Sequence, residues 1–399
     1  MKLQFATLGR CLAAAGLAGM LAACSGQGQV PSTGSLVGAQ SVDHATRTLS
    51  PMATSRLSNS PGPVPHSTMA QFLGRKYQES AHSFASSRKK CPKRAYIYAN
   101  DNTTGDVDLY CEDAVAGATN TLLATCTGCG GWGLAVSPAT QQLAIGTSAG
   151  TVTTWTINPA TGIPVATGAV LQLASGDPLG ICYDSSGGLY ATDFPSNQID
   201  YFGPGSVGTA GTWNPTGNWI MSTTQTGYYL ACDFDKLYSS ENILMVDGWD
   251  SSGNDVLSNV AVAGVPGPAT PVADAIKWVY GPGSVAFPGG MTLNKHDNLV
   301  VSNQYGVLND MGFKELWKNA PTATCKDQYD YTGIVFDDAQ DEIWADAVSS
   351  SGATAVLSNK YPLNNNACVP GTSGTIAQPN PANGETLYLG VAVYPNRGV

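Results

Sequence analysis

Residues 180–197 read Gly180-Ile-Cys-Tyr-Asp184-Ser-Ser-Gly-Gly188-Leu-Tyr-Ala-Thr-Asp193-Phe-Pro-Ser-Asn197. A small residue opens a short apolar strand that ends at Asp184. A Ser/Gly turn follows, and a second apolar strand, Leu189 to Asp193, ends on a carboxylate. Turn formers between two β-prone runs specify an antiparallel hairpin. The pattern recurs. First strands are Gly133-Leu-Ala-Val-Ser-Pro138, Gly180 to Asp184, Leu230-Ala-Cys-Asp-Phe-Asp235, Gly290-Met-Thr-Leu-Asn294, Gly333-Ile-Val-Phe-Asp337 and Gly390-Val-Ala-Val-Tyr-Pro395. Second strands are Leu143 to Thr147, Leu189 to Asp193, Ile243 to Asp247, Leu299 to Asn303 and Glu342 to Asp346. Third strands follow, as at Asp106 to Tyr110, Thr151 to Trp155 and Ile199 to Phe202. A period of roughly 40–60 residues with four strands per repeat predicts propeller blades, and six repeats predict six blades.

The sixth first strand has no second strand after it. Its partner lies at the other end of the repeats, where Tyr96-Ile-Tyr-Ala-Asn100 lacks a first strand before it. The last strand is therefore expected to complete the first blade, closing the ring and removing an open sheet edge. The fold class is all-β, a six-bladed β-propeller closed by its C-terminal strand.

The repeat resembles the NHL and lactonase-like six-bladed propellers over residues 95–399, in its order of apolar strand, turn, strand ending in Asp or Asn, and polar turn. Gluconolactonase and senescence-marker enzymes of that group hold a divalent cation with Glu, Asn and Asp near the beginnings of first strands. The matching positions here are Trp132-Gly133, Leu179-Gly180, Tyr229-Leu230, Gly289-Gly290, Thr332-Gly333 and Leu389-Gly390. None is acidic, so no metal ligand carries over from the family.

Antiparallel pairing puts the ends of the second strands on one face of the ring. Asn100, Thr147, Asp193, Asp247, Asn303 and Asp346 are thus the candidate funnel residues. Three carboxylates and two amides form a hard-oxygen set of the kind that suits calcium. The competing reading is that each side chain caps its own turn, favoured because this position is polar in every repeat. No cofactor is otherwise implied, and the metal is unknown.

Histidine is nearly absent from the repeats. His44, His66 and His82 precede them, and His296 falls in a turn on the opposite face. A Ser-His-Asp triad or a His-rich metal site has nothing to build on. Aromatics before first strands, among them Trp132, Tyr228, Tyr229, Tyr331 and Tyr388, suit either ligand stacking or, more simply, packing between blades. The longest repeat contains Gly264-Val-Pro-Gly-Pro-Ala-Thr-Pro271, an insertion suited to shaping a binding surface.

Composition supports this reading. Charged residues are 12%, about half the usual share, with 46 Gly and 24 Pro. Helical rods, collagen, polytopic membrane proteins and basic nucleic-acid binders are excluded. From residue 95 onward Asp and Glu far outnumber Lys and Arg, within a net charge of −10. Such a domain repels phosphates, so no nucleic-acid partner is expected.

Residues 1–23 have the form of a signal peptide: Lys2 and Arg10, then an apolar run too short to span a bilayer. Leu21-Ala22-Ala23-Cys24 resembles the lipobox of bacterial lipoproteins. That implies cleavage before Cys24 and attachment of palmitate-type acyl chains to its sulfur and amine, a firm anchor when two or more chains insert. Ser25, rather than Asp, implies outer-membrane sorting in a Gram-negative host. Residues 24–90 are turn-rich without a sustained apolar period and read as a disordered tether. The basic run Arg88-Lys89-Lys90-Cys91-Pro92-Lys93-Arg94 ends it, and residues 91–399 form the propeller.

Apart from Cys11 in the signal and Cys24, eight cysteines remain. In an exported chain these are disulfide candidates. Cys182 and Cys232 hold the same place in neighbouring first strands, and Cys325 and Cys368 fall in late strands of neighbouring blades. Cys91, Cys111, Cys126 and Cys129 cluster in the first. The functional expectation is a lipid-anchored, extracytoplasmic binding or scaffold module, leaning away from catalysis, with an envelope protein or small molecule at the funnel. The alternative is a metal-assisted, lactonase-like hydrolase using the acidic ring.

Overall fold

The structure is a computed structural model. It describes residues 83–395 except 87–90, 93–94, 102–103, 117, 138, 175, 195–197, 221–227, 235–242, 250–254, 262–275, 281–287, 297, 304–306, 313–320, 328–329, 349–353 and 377–387. The signal segment, Cys24 and the insertion at Gly264–Pro271 lie outside the described residues.

Strands among the described residues fall into six sheets. Sheet I holds β1 (Ala85–Ser86), β2 (Tyr96–Asp101), β3 (Asp106–Cys111) and β4 (Thr121–Cys126). Sheet II holds β5 (Gly131–Ser137), β6 (Gln142–Thr147), β7 (Thr151–Ile157) and β8 (Pro164–Gln172). Sheet III begins with β9 (Asp177–Tyr183), β10 (Leu189–Phe194) and β11 (Gln198–Phe202). A helical turn, α1 (Pro204–Val207), and β12 (Gly211–Trp213) precede its last strand, β13 (Gly217–Ile220). Sheet IV is β14 (Tyr228–Phe234), β15 (Ile243–Trp249), β16 (Asp255–Ala261) and β17 (Ile276–Tyr280). Sheet V is β18 (Pro288–Leu293), β19 (Leu299–Asn303), β20 (Val307–Asp310) and β21 (Ala323–Lys326). Sheet VI is β22 (Asp330–Asp337), β23 (Glu342–Val348), β24 (Thr354–Lys360) and β25 (Pro370–Ile376).

The final strand, β26 (Tyr388–Tyr394), returns to sheet I and pairs antiparallel with β2, Tyr96 opposite Tyr394 and Ala99 opposite Val391. The innermost strands β26, β5, β9, β14, β18 and β22 each contact the next, and β22 contacts β26. Each sheet is thus a blade of a β-propeller.

Blades pack face to face, which explains strands apolar on both faces. Every residue of β2 is buried, as is every residue of β11. Tyr98, Leu109, Leu134, Ile145 and Trp155 form one inter-blade core between sheets I and II. Ile97, Trp344, Val356 and Val391 form another, between VI and I.

The small residue opening each repeat has a packing cause. In all six sheets the ladder between the inner strand and its neighbour slips by a bulge at that place. A bulge sharpens the twist and bends the strand, bringing neighbouring inner strands together. A Cβ at Gly133 would lie 2.3 Å from the Leu179 carbonyl oxygen, and one at Gly390 would lie 2.9 Å from that of Trp132. Only glycine admits so close an approach.

Among the described residues four disulfides are present: Cys91–Cys111, Cys126–Cys129, Cys182–Cys232 and Cys325–Cys368. The second sits at the join of blades I and II, the third at III/IV and the fourth at V/VI. Other joins are stitched differently. β12, exposed at each residue, leaves its own blade and pairs parallel with β8 of blade II. At IV/V, Asp233 accepts the Leu293 amide at 2.7 Å. At VI/I, Asn120 donates to the Ser373 carbonyl at 3.0 Å.

The tether expectation needs one correction. Ala85 and Ser86, assigned by composition to the tether, form the outer edge of sheet I opposite Thr125 and Ala124. Phe84 anchors them by burying its ring edge-on against Trp155 at 5.6 Å.

Candidate functional site: the strand-end ring

The six candidate residues do not form one ring. Asn100, Asp247 and Asp346 pair on one side of the bulge in their sheets, while Thr147, Asp193 and Asn303 pair beyond it. That is one strand position further on, where an alternating strand turns its side chains to the other face. Asn100 opposes Gly390, Thr147 opposes Gly131, Asp193 opposes Pro178, Asp247 opposes Ala231, Asn303 opposes Pro288 and Asp346 opposes Gly333. The side chains of Asp247 and Asn303 lie outside the described residues. The other four are buried.

Each of the four meets burial differently. The Asn100 carboxamide accepts the Gly131 amide at 3.0 Å and donates to the Trp132 carbonyl, crossing from blade I to blade II. Thr147 closes its own turn: its hydroxyl bonds that of Thr151 at 2.8 Å and accepts the Ala149 amide at 3.3 Å. Asp193 accepts from the Gln198 side chain at 3.1 Å. Asp346 is wholly buried, and neither carboxyl oxygen has a hydrogen-bond partner. Burial holds its carboxyl well above the usual range. The four therefore comprise a blade clasp, a turn cap and two buried acids.

Asp193 belongs to an acidic cluster that pattern reading missed. Gln198 also donates to Asp200 at 3.0 Å, and the Ala174 amide reaches the other Asp200 oxygen at 2.8 Å. Burial, with the Asp193 charge adding to it and the Ala174 amide opposing, pushes Asp200 up to about 7. Burial and the same Asp193 charge push Asp177 up to about 7. Carboxyls titrating near neutrality can take and return protons, the property general acid–base chemistry uses. One signal was available in the sequence: Gln198 and Asp200 alternate with apolar neighbours in a strand that is buried throughout.

Of the aromatics before first strands, Trp132 and Tyr331 are buried, and Tyr331 donates to Asp327 at 3.0 Å. Tyr331 packs in the core between blades V and VI, whereas the Trp132 indole N–H is buried without a hydrogen-bond partner. The side chains of Tyr228, Tyr229 and Tyr388 lie outside the described residues. No group of His, Cys, Asp and Glu among the described residues has the geometry of a metal site. No helix among them is long and apolar enough to cross a membrane. Paired cysteines belong to an oxidising, extracytoplasmic environment.

The fold is similar to that of a chain in the crystal structure of a nidogen/laminin complex. The TM-score is 0.51 at 11% identity, covering 76% of this chain and 99% of that one. Such a likeness establishes a propeller fold alone. No protein-family model matches the sequence, and no curated protein does.

Proposed function

We propose that this chain is an extracytoplasmic binding propeller of the six-bladed NHL and lactonase-like kind, held to the envelope by lipid on Cys24. It engages a protein or small molecule at the face where the second strands end. The observation that carries this is the Asn100 clasp. A side chain of the candidate set is committed to two backbone groups of the next blade, so recognition falls to the loops around it. Loops on a rigid scaffold are the usual place for recognition. The solved chain of similar fold was crystallised in a nidogen/laminin complex, which is in keeping with a propeller serving protein assembly.

A specific observation supports a second reading. Gln198 bridges Asp193 and Asp200, and Asp177 and Asp200, both beside Asp193, are each pushed up to about 7, chiefly by burial, which would suit a hydrolase, with calcium the ion expected at acidic oxygens.

Two experiments test these readings. Metabolic labelling with an alkyne fatty acid should mark the wild-type chain and not Cys24→Ser. The purified chain should leave lactones and esters intact. Turnover that disappears in Asp193→Asn would replace the binding reading with the hydrolase.

A further inference from the structure

Opposite the funnel face, three acidic side chains meet where blade VI packs on blade I. Glu112 follows β3, Asp337 ends β22 and Glu342 begins β23, and all three are buried. Glu342 is well provided for: it accepts the Thr372 amide and, at 2.6 Å and 3.2 Å, the Thr372 hydroxyl and the Ser373 amide. Asp337 accepts the Ala339 amide at 2.9 Å through one oxygen, and its other oxygen has no donor. Glu112 is 1% exposed, and neither of its oxygens accepts a well-aligned bond from an amide or hydroxyl. The Asp337 carboxyl, with one oxygen lacking a donor, and the Ser373 hydroxyl are the polar neighbours of Glu112 across the join.

We infer that Glu112 and Asp337 share one proton, and that this carboxyl–carboxylate bridge latches the N-terminal strands of blade I to blade VI. Two buried carboxylates in contact repel, whereas an acid donating to a carboxylate forms a strong, short hydrogen bond. The surroundings favour a proton. On the blade VI side stand Asp338, Asp341 and Glu342. Lys295, from blade V, pairs with Asp341 at 3.3 Å and bonds the Asp338 carbonyl at 2.9 Å. Lys360, opposite Glu342 in register, is exposed. β25 presents the hydroxyls of Thr372 and Ser373. Blade I brings Asp113, which accepts the Thr121 amide at 2.9 Å. Among these described groups no cation reaches the pair.

The effect on stability has a definite sign. Burial first, and then the Asp337 charge, pushes Glu112 up to about 8. An acid whose folded affinity for its proton exceeds its unfolded one stabilises fully below the unfolded value, near 4.3 for Glu. That stabilisation diminishes as pH rises above it and is gone once the folded value near 8 is passed. The latch therefore holds in acid and neutral solution and opens on the alkaline side.

The test is thermal melting of the full chain, oxidised and in EDTA, at about pH 6 and about pH 9. The wild-type midpoint should fall between the two. Glu112→Gln, whose amide donates to Asp337 without a titrating proton, should fall clearly less. Asp177, Asp200 and Asp346 titrate in both proteins, so the difference isolates the pair. Infrared difference spectra of wild type against Glu112→Gln near pH 6 should show a protonated carboxyl stretch. Equal falls in the two proteins, or no such stretch, would overturn the latch. If Glu112→Gln does not fold, Asp337→Asn carries the same comparison. A calcium-induced rise at alkaline pH that requires Glu112 would make the cluster a cation site and likewise refute the proton.

Discussion

The Asn100 carboxamide accepts the Gly131 amide at 3.0 Å across the join of blades I and II. The same group donates to the Trp132 carbonyl. A short amide thus satisfies both orphaned backbone groups of a bulge, and only a side chain with a donor and an acceptor can do this.

Asn100→Ala should therefore be costly. It leaves a buried N–H and a buried carbonyl without partners, each worth ~1–3 kcal/mol. Denaturant unfolding should show a loss of about 2–4 kcal/mol. Asn100→Asp keeps the acceptor and sets a negative charge against the Trp132 carbonyl. Its stability should recover as pH falls and the carboxyl gains a donor proton.

Two glycine substitutions make a matched pair. Gly133→Ala drives a Cβ to 2.3 Å from the Leu179 carbonyl oxygen, whereas at Gly203 nothing lies within 4 Å. The first should lose ~1–3 kcal/mol through overpacking between backbones. The second should stay within ~0.5 kcal/mol of wild type. Equal midpoints for both would mean the blades do not pack through their glycines.

The Cys182–Cys232 bridge links adjacent inner strands over a separation of 50 residues, and Cys126–Cys129 spans only 3. Loop-closure entropy predicts that replacing the first pair by alanine costs ~4 kcal/mol, and the second about half that. Reversed ordering in calorimetric melts would locate the stabilisation in the folded state instead.

Asp200 and Asp346 should make stability fall with rising pH. Each is raised by burial, so the folded state takes up a proton that the unfolded state releases near pH 4. For Asp200 the loss should run from about pH 4 to about pH 7. Asp346→Asn removes an ionisable group without changing the shape, and should stabilise more at about pH 8 than at about pH 5. An unchanged slope in Asp346→Asn and in Asp200→Asn would show that neither acid is protonated in the fold.

The sequence by itself determined the strand repeat and the return of the last strand to Tyr96–Asn100, and it set Cys182 and Cys232, and Cys325 and Cys368, in neighbouring blades while leaving their pairing to the structure. All follow from local periodicity and from counting which strand lacks a neighbour. The residue type at the strand ends was legible in the same way, but its use was not. Asn100 and Asp346 pair with the opening glycines Gly390 and Gly333, Thr147 and Asp193 pair beyond the bulge with Gly131 and Pro178, and of the four one clasps a blade, one caps a turn, one joins an acid cluster and one is left without a donor. What a side chain meets there is set by the neighbouring blade's bulge, which no single repeat encodes. The exchange of β12 onto blade II and the anchoring of Phe84 on Trp155 were hidden for the same reason. Glu112 and Asp337 are the extreme case. They lie far apart in sequence, in unremarkable strand ends, and only closure of the ring brings the two carboxyls together and removes the water that would have kept both ionised.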